Sequence, residues 1–167
     1  MKKYILITLA LSLNIACFAQ KYSSTSVTKN NMKVSWYFHN NRIFFEMNAP
    51  TDGWLTIGFN DTTGTKGAYL LMGRVKQGVP NITEHFTINP GNYKTIESLG
   101  KTVQVKDVSG IENSNYTSIK FSLPQKAASK YQRDLFKGNE YVLIIAFSRE
   151  DDYQHHSIMR TSVRVKL

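Results

Sequence analysis

The sequence predicts an all-β protein, an antiparallel β-sandwich of about nine to eleven strands with one short helix. Three observations predict it. Apolar and polar residues alternate with period two through most of the chain after Lys21; clusters of Asn, Gly, Pro and Asp punctuate the runs; and a single segment carries helical spacing. At 167 residues the chain has room for one domain with a hydrophobic core.

The elements follow in order. Lys21–Asn31, rich in Ser, Thr and Asn, reads as a loose lead-in segment or an edge strand. Met32–His39 places Met32, Val34, Trp36 and Phe38 on one face and Lys33, Ser35, Tyr37 and His39 on the other, which describes a half-buried strand. Asn40-Asn41 suits a turn with positive φ, and Arg42–Asn48 returns from it. Pro50-Thr51-Asp52-Gly53 turns the chain into Trp54–Phe59, and Asn60–Gly67 is a polar loop. Ala68–Val75 and Ile82–Ile88 are strands around a turn at Gly78–Asn81. Two weaker strands flank Gly100, and Tyr116–Leu123 alternates until Pro124 stops it. Gln125–Phe136 is the helical segment, with Ala127, Ala128, Tyr131 and Leu135 near one face. Tyr141–Phe147 is apolar on both faces, as expected of a central strand covered on both sides, and His155–Leu167 closes the chain.

The first residues read as an export signal. Lys2 and Lys3 precede an apolar run, Tyr4–Ile15, and Ala16-Cys17-Phe18-Ala19 offers small residues for cleavage after Ala19. The expected organisation is therefore a signal peptide at 1–19, a loose segment at 20–31 and one domain at 32–167, in a periplasmic or extracellular protein. Lipidation at Cys17 is the less favoured alternative, because Asn14 sits where such signals carry an aliphatic residue. The apolar run is too short for a comfortable membrane-spanning helix, and no stop-transfer segment follows it.

The formal charge of +9 invites a nucleic-acid reading, but Lys and Arg are dispersed without a run of five, and two of them lie in the signal. An acidic partner, an anionic glycan or a carboxylate-bearing cofactor fits better than nucleic acid. No nucleophile elbow, phosphate loop or His-Glu-x-x-His motif is present, so a non-catalytic module is expected. Glu150-Asp151-Asp152 lacks the interleaved ligands of a calcium loop and reads as a solvated acidic turn.

Histidines carry more information. His39 and His85 fall on polar strand faces, where a surface histidine is the default. His155 and His156 follow the acidic loop, and on a strand at most one of them faces inward. An inward His156 shares a face with Ile158 and sits at the rim of an apolar core, where imidazole can coordinate a metal or haem iron; a hydrogen-bonded structural histidine is the alternative. Trp54 and Tyr69, with other tyrosines, offer surface for stacking on a ligand, against the commoner role of packing. Met72, in the row Ala68, Leu70, Met72, is most simply core.

Asp52-Gly53-Trp54-Leu55-Thr56-Ile57-Gly58-Phe59-Asn60 resembles the opening signature of the DOMON superfamily, a Gly-Trp pair beginning a strand that ends in Gly-Phe. Gly67–Gly73 is similar to that family's next strand, and Gln154–Arg160 to its late histidine followed four residues on by arginine. The likeness extends over Met32–Leu167. It implies an extracytoplasmic sandwich that binds b-type haem or sugar and works with a redox or membrane partner protein. In the haem-binding members iron lies between a methionine and the late histidine. Carried over, the histidine is His156, with His155 one position off, and Arg160 joins the ligand pocket. Thr65 stands where those members have methionine, which leaves Lys66 and Met72 as candidates for the second axial ligand. Haem b is thus placed ahead of a metal-free sugar or small-molecule module, with a protein-interaction sandwich third.

Overall fold

The computed structural model describes residues 24–167. The signal peptide read at 1–19 lies outside the described residues, as does the start of the loose segment at 20–31. Eleven strands form two antiparallel sheets: β1 (Thr25–Lys29), β2 (Met32–His39), β3 (Arg42–Ala49), β4 (Leu55–Asn60), β5 (Tyr69–Lys76), β6 (Val79–Asn89), β7 (Asn92–Thr95), β8 (Lys106–Asn113), β9 (Tyr116–Pro124), β10 (Glu140–Phe147) and β11 (Met159–Lys166). One sheet runs β1-β2-β3-β9-β8 and the other β11-β10-β4-β5-β6-β7. The lead-in thus supplies an edge strand, β1, paired along its length with β2.

Tight hairpins link the first strands. Asn30-Asn31 and Asn40-Asn41 all have positive φ, between 46° and 66°, the conformation asparagine tolerates and two-residue hairpins require. Alternation along β2 and β3 then delivers Met32, Val34, Trp36, Ile43, Phe45 and Met47 to the space between the sheets. Leu55, Ile57 and Phe59 of β4 and Leu143 and Ile145 of β10 meet them from the other side.

The predicted helix at Gln125–Phe136 does not form, and no helix is present among the described residues. The segment is a compact loop. Leu135 N–H donates to the Gln125 carbonyl at 2.7 Å, and the Asp134 carboxylate accepts from Ala127 N–H at 2.8 Å. Side chains thus take the backbone groups that a helix would pair internally, a known competitor of helix in polar segments. Leu135 is fully buried and Tyr131 packs against the same core and meets Phe86 edge-on, which fixes the loop without a repeating apolar stripe.

That loop and the irregular stretch after β7 are bound to the sheet by Glu84, on the inner face of β6 and 1% exposed. Its Oε2 accepts from Tyr69 Oη at 2.7 Å and Gln132 Nε2 at 2.8 Å. Its Oε1 accepts from the backbone N–H groups of Gln104 and of Val105, the latter at 2.6 Å. Burial, and then the Glu84 charge and hydrogen bond, hold the Tyr69 phenol well above its ordinary pKa, so it stays a donor.

β4, β5 and β10 differ from the other strands in burying both faces. Their inner residues join the main core, whereas Leu70, Met72, Ile144, Ala146 and Trp54 form a second apolar cluster on the outer side of the six-stranded sheet. Among the described residues no helix is long and apolar enough to cross a membrane.

Candidate functional site

Register assembles the outer face row by row. Arg160 of β11 stands opposite Ala146 of β10, Ala146 opposite Thr56 of β4, Thr56 opposite Met72 of β5, and Met72 opposite Thr83 of β6. Two residues along, Ser162, Ile144, Gly58, Leu70 and His85 form the next row. A β-carbon on Gly58 would lie 2.4 Å from Leu70 Cδ2, so the missing side chain is what lets Leu70 lie flat across the sheet.

Over this floor opens a cleft of about 390 Å³, in the range of small-molecule sites. Its floor is Leu70, Met72, Ile144 and Ala146; Trp54 and Thr56 stand at one end and Thr87 and Tyr93 at the other; and the loop Tyr153–Ser157 forms the wall. No Asp or Glu lines it.

The wall is tied down at several points. Trp54 N–H donates to the Glu150 carbonyl at 3.0 Å, an approach that needs Gly53, whose β-carbon would meet the Arg149 and Glu150 backbone at 2.5 Å. Tyr153 Oη donates to the Met72 carbonyl at 3.1 Å, and Tyr93 Oη donates to the Tyr153 carbonyl at 2.5 Å. Arg74 lies 4.8 Å from the Tyr153 ring centroid and donates to the Asp151 carbonyl at 2.6 Å. The Ser148 hydroxyl donates to the His156 carbonyl at 3.2 Å, and His155 Nδ1 lies 3.5 Å from the Asp152 carboxylate.

Beneath the two tyrosines is His85, 5% exposed, meeting Tyr93 edge-on at 5.2 Å and Tyr153 at 6.2 Å between ring centroids. Burial lowers its pKa, opposed by a hydrogen bond with the Thr83 backbone. Burial raises both phenols; the charge of Asp152 adds to the rise at Tyr93. The imidazole and the two phenols are therefore uncharged near pH 7.

The structure brings His155, His156, Met72, Trp54 and Arg160 to this one cleft, together with Thr65. It does not bring Tyr69 or Lys66. Tyr69 belongs to the inner row of β5, where it bonds Glu84 in the main core. Lys66 is exposed in the polar loop, and its carbonyl accepts from Asn60 Nδ2 at 3.1 Å. The two histidines lie in a loop, because Asp152 turns the backbone by accepting from His155 N–H at 3.0 Å and β11 begins at Met159. Ile158 is 56% exposed, so the apolar surface His156 borders is the outer cluster rather than the inner core.

Sequence reasoning missed His85, Thr56 and Thr87. All three fall on a strand face that alternation assigns to solvent, yet this face is covered. The available signal was the two-sided apolar character of β10, which requires a cover, and the chain supplies that cover largely with Tyr93 and Tyr153. Trp54 Nε1, Thr56 Oγ1 and Thr87 Oγ1 are buried without a hydrogen-bond partner, as is His85 Nδ1. Such orphaned groups cost stability and are uncommon in folded proteins, so three lining one cleft, with a fourth beneath its wall, mark it as built for something besides folding.

The donor set fits a haem: imidazoles at the rim, a thioether on the floor, aromatic and aliphatic walls, and no carboxylate facing the ligand. Among solved structures the chain is similar to the cytochrome domain of Myriococcum thermophilum cellobiose dehydrogenase, with TM-score 0.66 and 11% identity over 87% of this chain and 82% of that one. It is also similar to the cytochrome b domain of pyranose dehydrogenase from Coprinopsis cinerea, with TM-score 0.63 and 10% identity over 87% and 81%. At these identities the likeness concerns the fold. The DOMON domain profile matches residues 28–148, most of the chain, and the protein belongs to that family.

Proposed function

We propose that the protein is an exported, non-catalytic binding module that holds a flat, largely apolar ligand in the outer-face cleft, and that this ligand is b-type haem serving electron transfer to a partner protein. One observation carries the reading: the six-stranded sheet buries a second apolar cluster on its outer face, under a loop bearing two histidines, where a sandwich needs no core. The cytochrome domains among its structural neighbours support the choice of haem. His156 would hold the iron, with His155 as its neighbour and Met72 the second candidate donor. When bound, haem would supply one-electron chemistry; the chain would orient it, exclude water with Tyr93 and Tyr153, and set the polarity around it.

A metal-free carbohydrate module is the second reading, favoured by the partnerless hydroxyls of Thr56 and Thr87. Against it, the cleft offers no open aromatic platform. Trp54 is 5% exposed, and the hydroxyls of Tyr93 and Tyr153 are committed to backbone carbonyls.

Titrating the purified apo-protein with haem tests the proposal. A sharpened, shifted Soret band that moves again on reduction is expected, weakened by His156→Ala and unaffected by His39→Ala. A free-haem spectrum in both redox states overturns it.

A further inference from the structure

We infer that Trp54, Thr56 and Arg160 form an anion-receiving corner at one end of the cleft, so that its ligand carries a carboxylate on an otherwise apolar, flat body. The inference rests on reading the cleft as a ligand site, and names the chemical group by which that site selects.

Three features converge on the corner. Trp54 and Thr56 are 95% and 96% buried by their exposures of 5% and 4%, both line the cleft, and their Nε1 and Oγ1 are without partners. Trp54 immediately precedes β4 and Thr56 is the second residue of that strand, and both line the same cleft. Arg160 stands in the same cross-strand row as Thr56, separated from it by Ala146 alone. Ala146 puts only a methyl between them, Arg160 lines the same cleft, and among the described residues it makes no ion pair. An indole N–H and a guanidinium are donors with no acceptor capacity, and a hydroxyl can donate. Such a set matches an oxyanion better than a hydroxyl or an amide.

The local charges agree. Of the acidic residues in the adjoining loop, Asp152 lies against His155 and accepts from Gln154 N–H at 2.9 Å, and the Asp151 backbone carbonyl accepts from Arg74. None of them lines the cleft, whereas Arg160, His155 and His156 do. An anionic group at this end meets donors and positive charge, with the apolar floor extending away from it toward Leu70.

Matched acids and esters test the inference. Affinities of the full exported chain would be measured by calorimetry for metal-free protoporphyrin IX and its dimethyl ester, and for 2-naphthoate and its methyl ester. The wild type is expected to prefer the acids by about tenfold to a hundredfold, the range of one or two charge-assisted hydrogen bonds. Arg160→Gln and Thr56→Val are expected to erode that preference while leaving ester affinity in place. Thr56→Val also removes a partnerless buried hydroxyl, so it is expected to melt no lower than wild type, which separates lost recognition from lost folding. Equal affinity for acid and ester, preference retained in Arg160→Gln, or no binding of any acid overturns the corner. Acid preference without a Soret shift on adding haem leaves the corner standing and overturns the haem reading. Equal Soret shifts with haem and its dimethyl ester do the reverse.

Discussion

Replacing Glu84 probes how the irregular half of the sandwich is held. The carboxylate accepts from two backbone N–H groups, a phenol and an amide, and 1% of the residue meets solvent. Glu84→Ala leaves the N–H groups of Gln104 and Val105 without an acceptor and opens a space where the carboxylate was. Each buried donor left unpaired costs about 1–3 kcal/mol, and partial relaxation toward water limits the sum, so a loss of about 3–5 kcal/mol is expected. For a chain of this size that corresponds to a melting temperature lower by about 6–20 °C. Glu84→Gln should cost about 1–2 kcal/mol, because the amide oxygen can still serve the two backbone donors. Its NH₂ would face Tyr69 Oη, which can turn to accept, and Gln132. Thermal and urea unfolding at pH 7 would measure both variants, and amide exchange at Gln104 and Val105 would locate the effect. Equal losses for the two variants, or a loss under about 1 kcal/mol for Glu84→Ala, would refute the view that these four bonds hold the loops.

Other perturbations act nearer the cleft. His85 has a lowered pKa in the folded protein, so the unfolded chain takes up its proton first as pH falls. Its contribution is present above about pH 6.5 and is lost below it, down through the folded pKa; a melting-temperature scan from pH 7.5 to 5 should slope less in His85→Gln than in wild type. Gly58→Ala places a β-carbon about 1 Å inside ordinary contact with Leu70 Cδ2, which should lift Leu70 into the cleft, cost about 1–3 kcal/mol and weaken ligand binding more than Gly91→Ala does in the same titration. Arg74→Ala removes the contact over Tyr153 and the bond to the Asp151 carbonyl, so backbone exchange across residues 151–158 should quicken while that of β2 and β3 is unchanged.

Most of the strands were legible because their alternation is clean. Met32–His39 and Tyr116–Leu123 each present one apolar and one polar face, and both form strands close to those bounds. Gln125–Phe136 was misread because four apolar residues at near-helical spacing are too few to show a buried stripe. Their order in space is set by Asp134 within the segment and by Gln132 bonding Glu84, a side chain far away in sequence. At the site, Met72, His155, His156, Trp54 and Arg160 were named from the chain and share a cleft, because register places them in neighbouring rows and in the loop beside them. Tyr69 was misplaced by a single step of the pleat: its neighbour Leu70 faces the cleft, and it faces Glu84. His85 was hidden for a different reason. A polar residue on an outer face looks solvated until a tyrosine from β7 and another from the loop after β10 close over it.

The two-sided burial of β4, β5 and β10 has a consequence for how faithfully the chain folds. In most strands a slip of one residue is prevented by exchanging apolar for polar on the buried face. In Leu70-Leu71-Met72 and Val142-Leu143-Ile144-Ile145 a slip exchanges one large apolar side chain for another, and hydrophobicity scarcely distinguishes the two pairings. Discrimination falls to the positions that have no side chain. Gly58 must lie beneath Leu70, and a β-carbon on Gly73 would meet Ile82 Cδ1 at 2.5 Å and Ile119 Cδ1 at 2.9 Å, so any other register puts bulk where these glycines leave room. The glycines of the central strands therefore act as alignment marks, and enlarging either one should yield misaligned or aggregating chains during refolding before it yields a merely less stable native state.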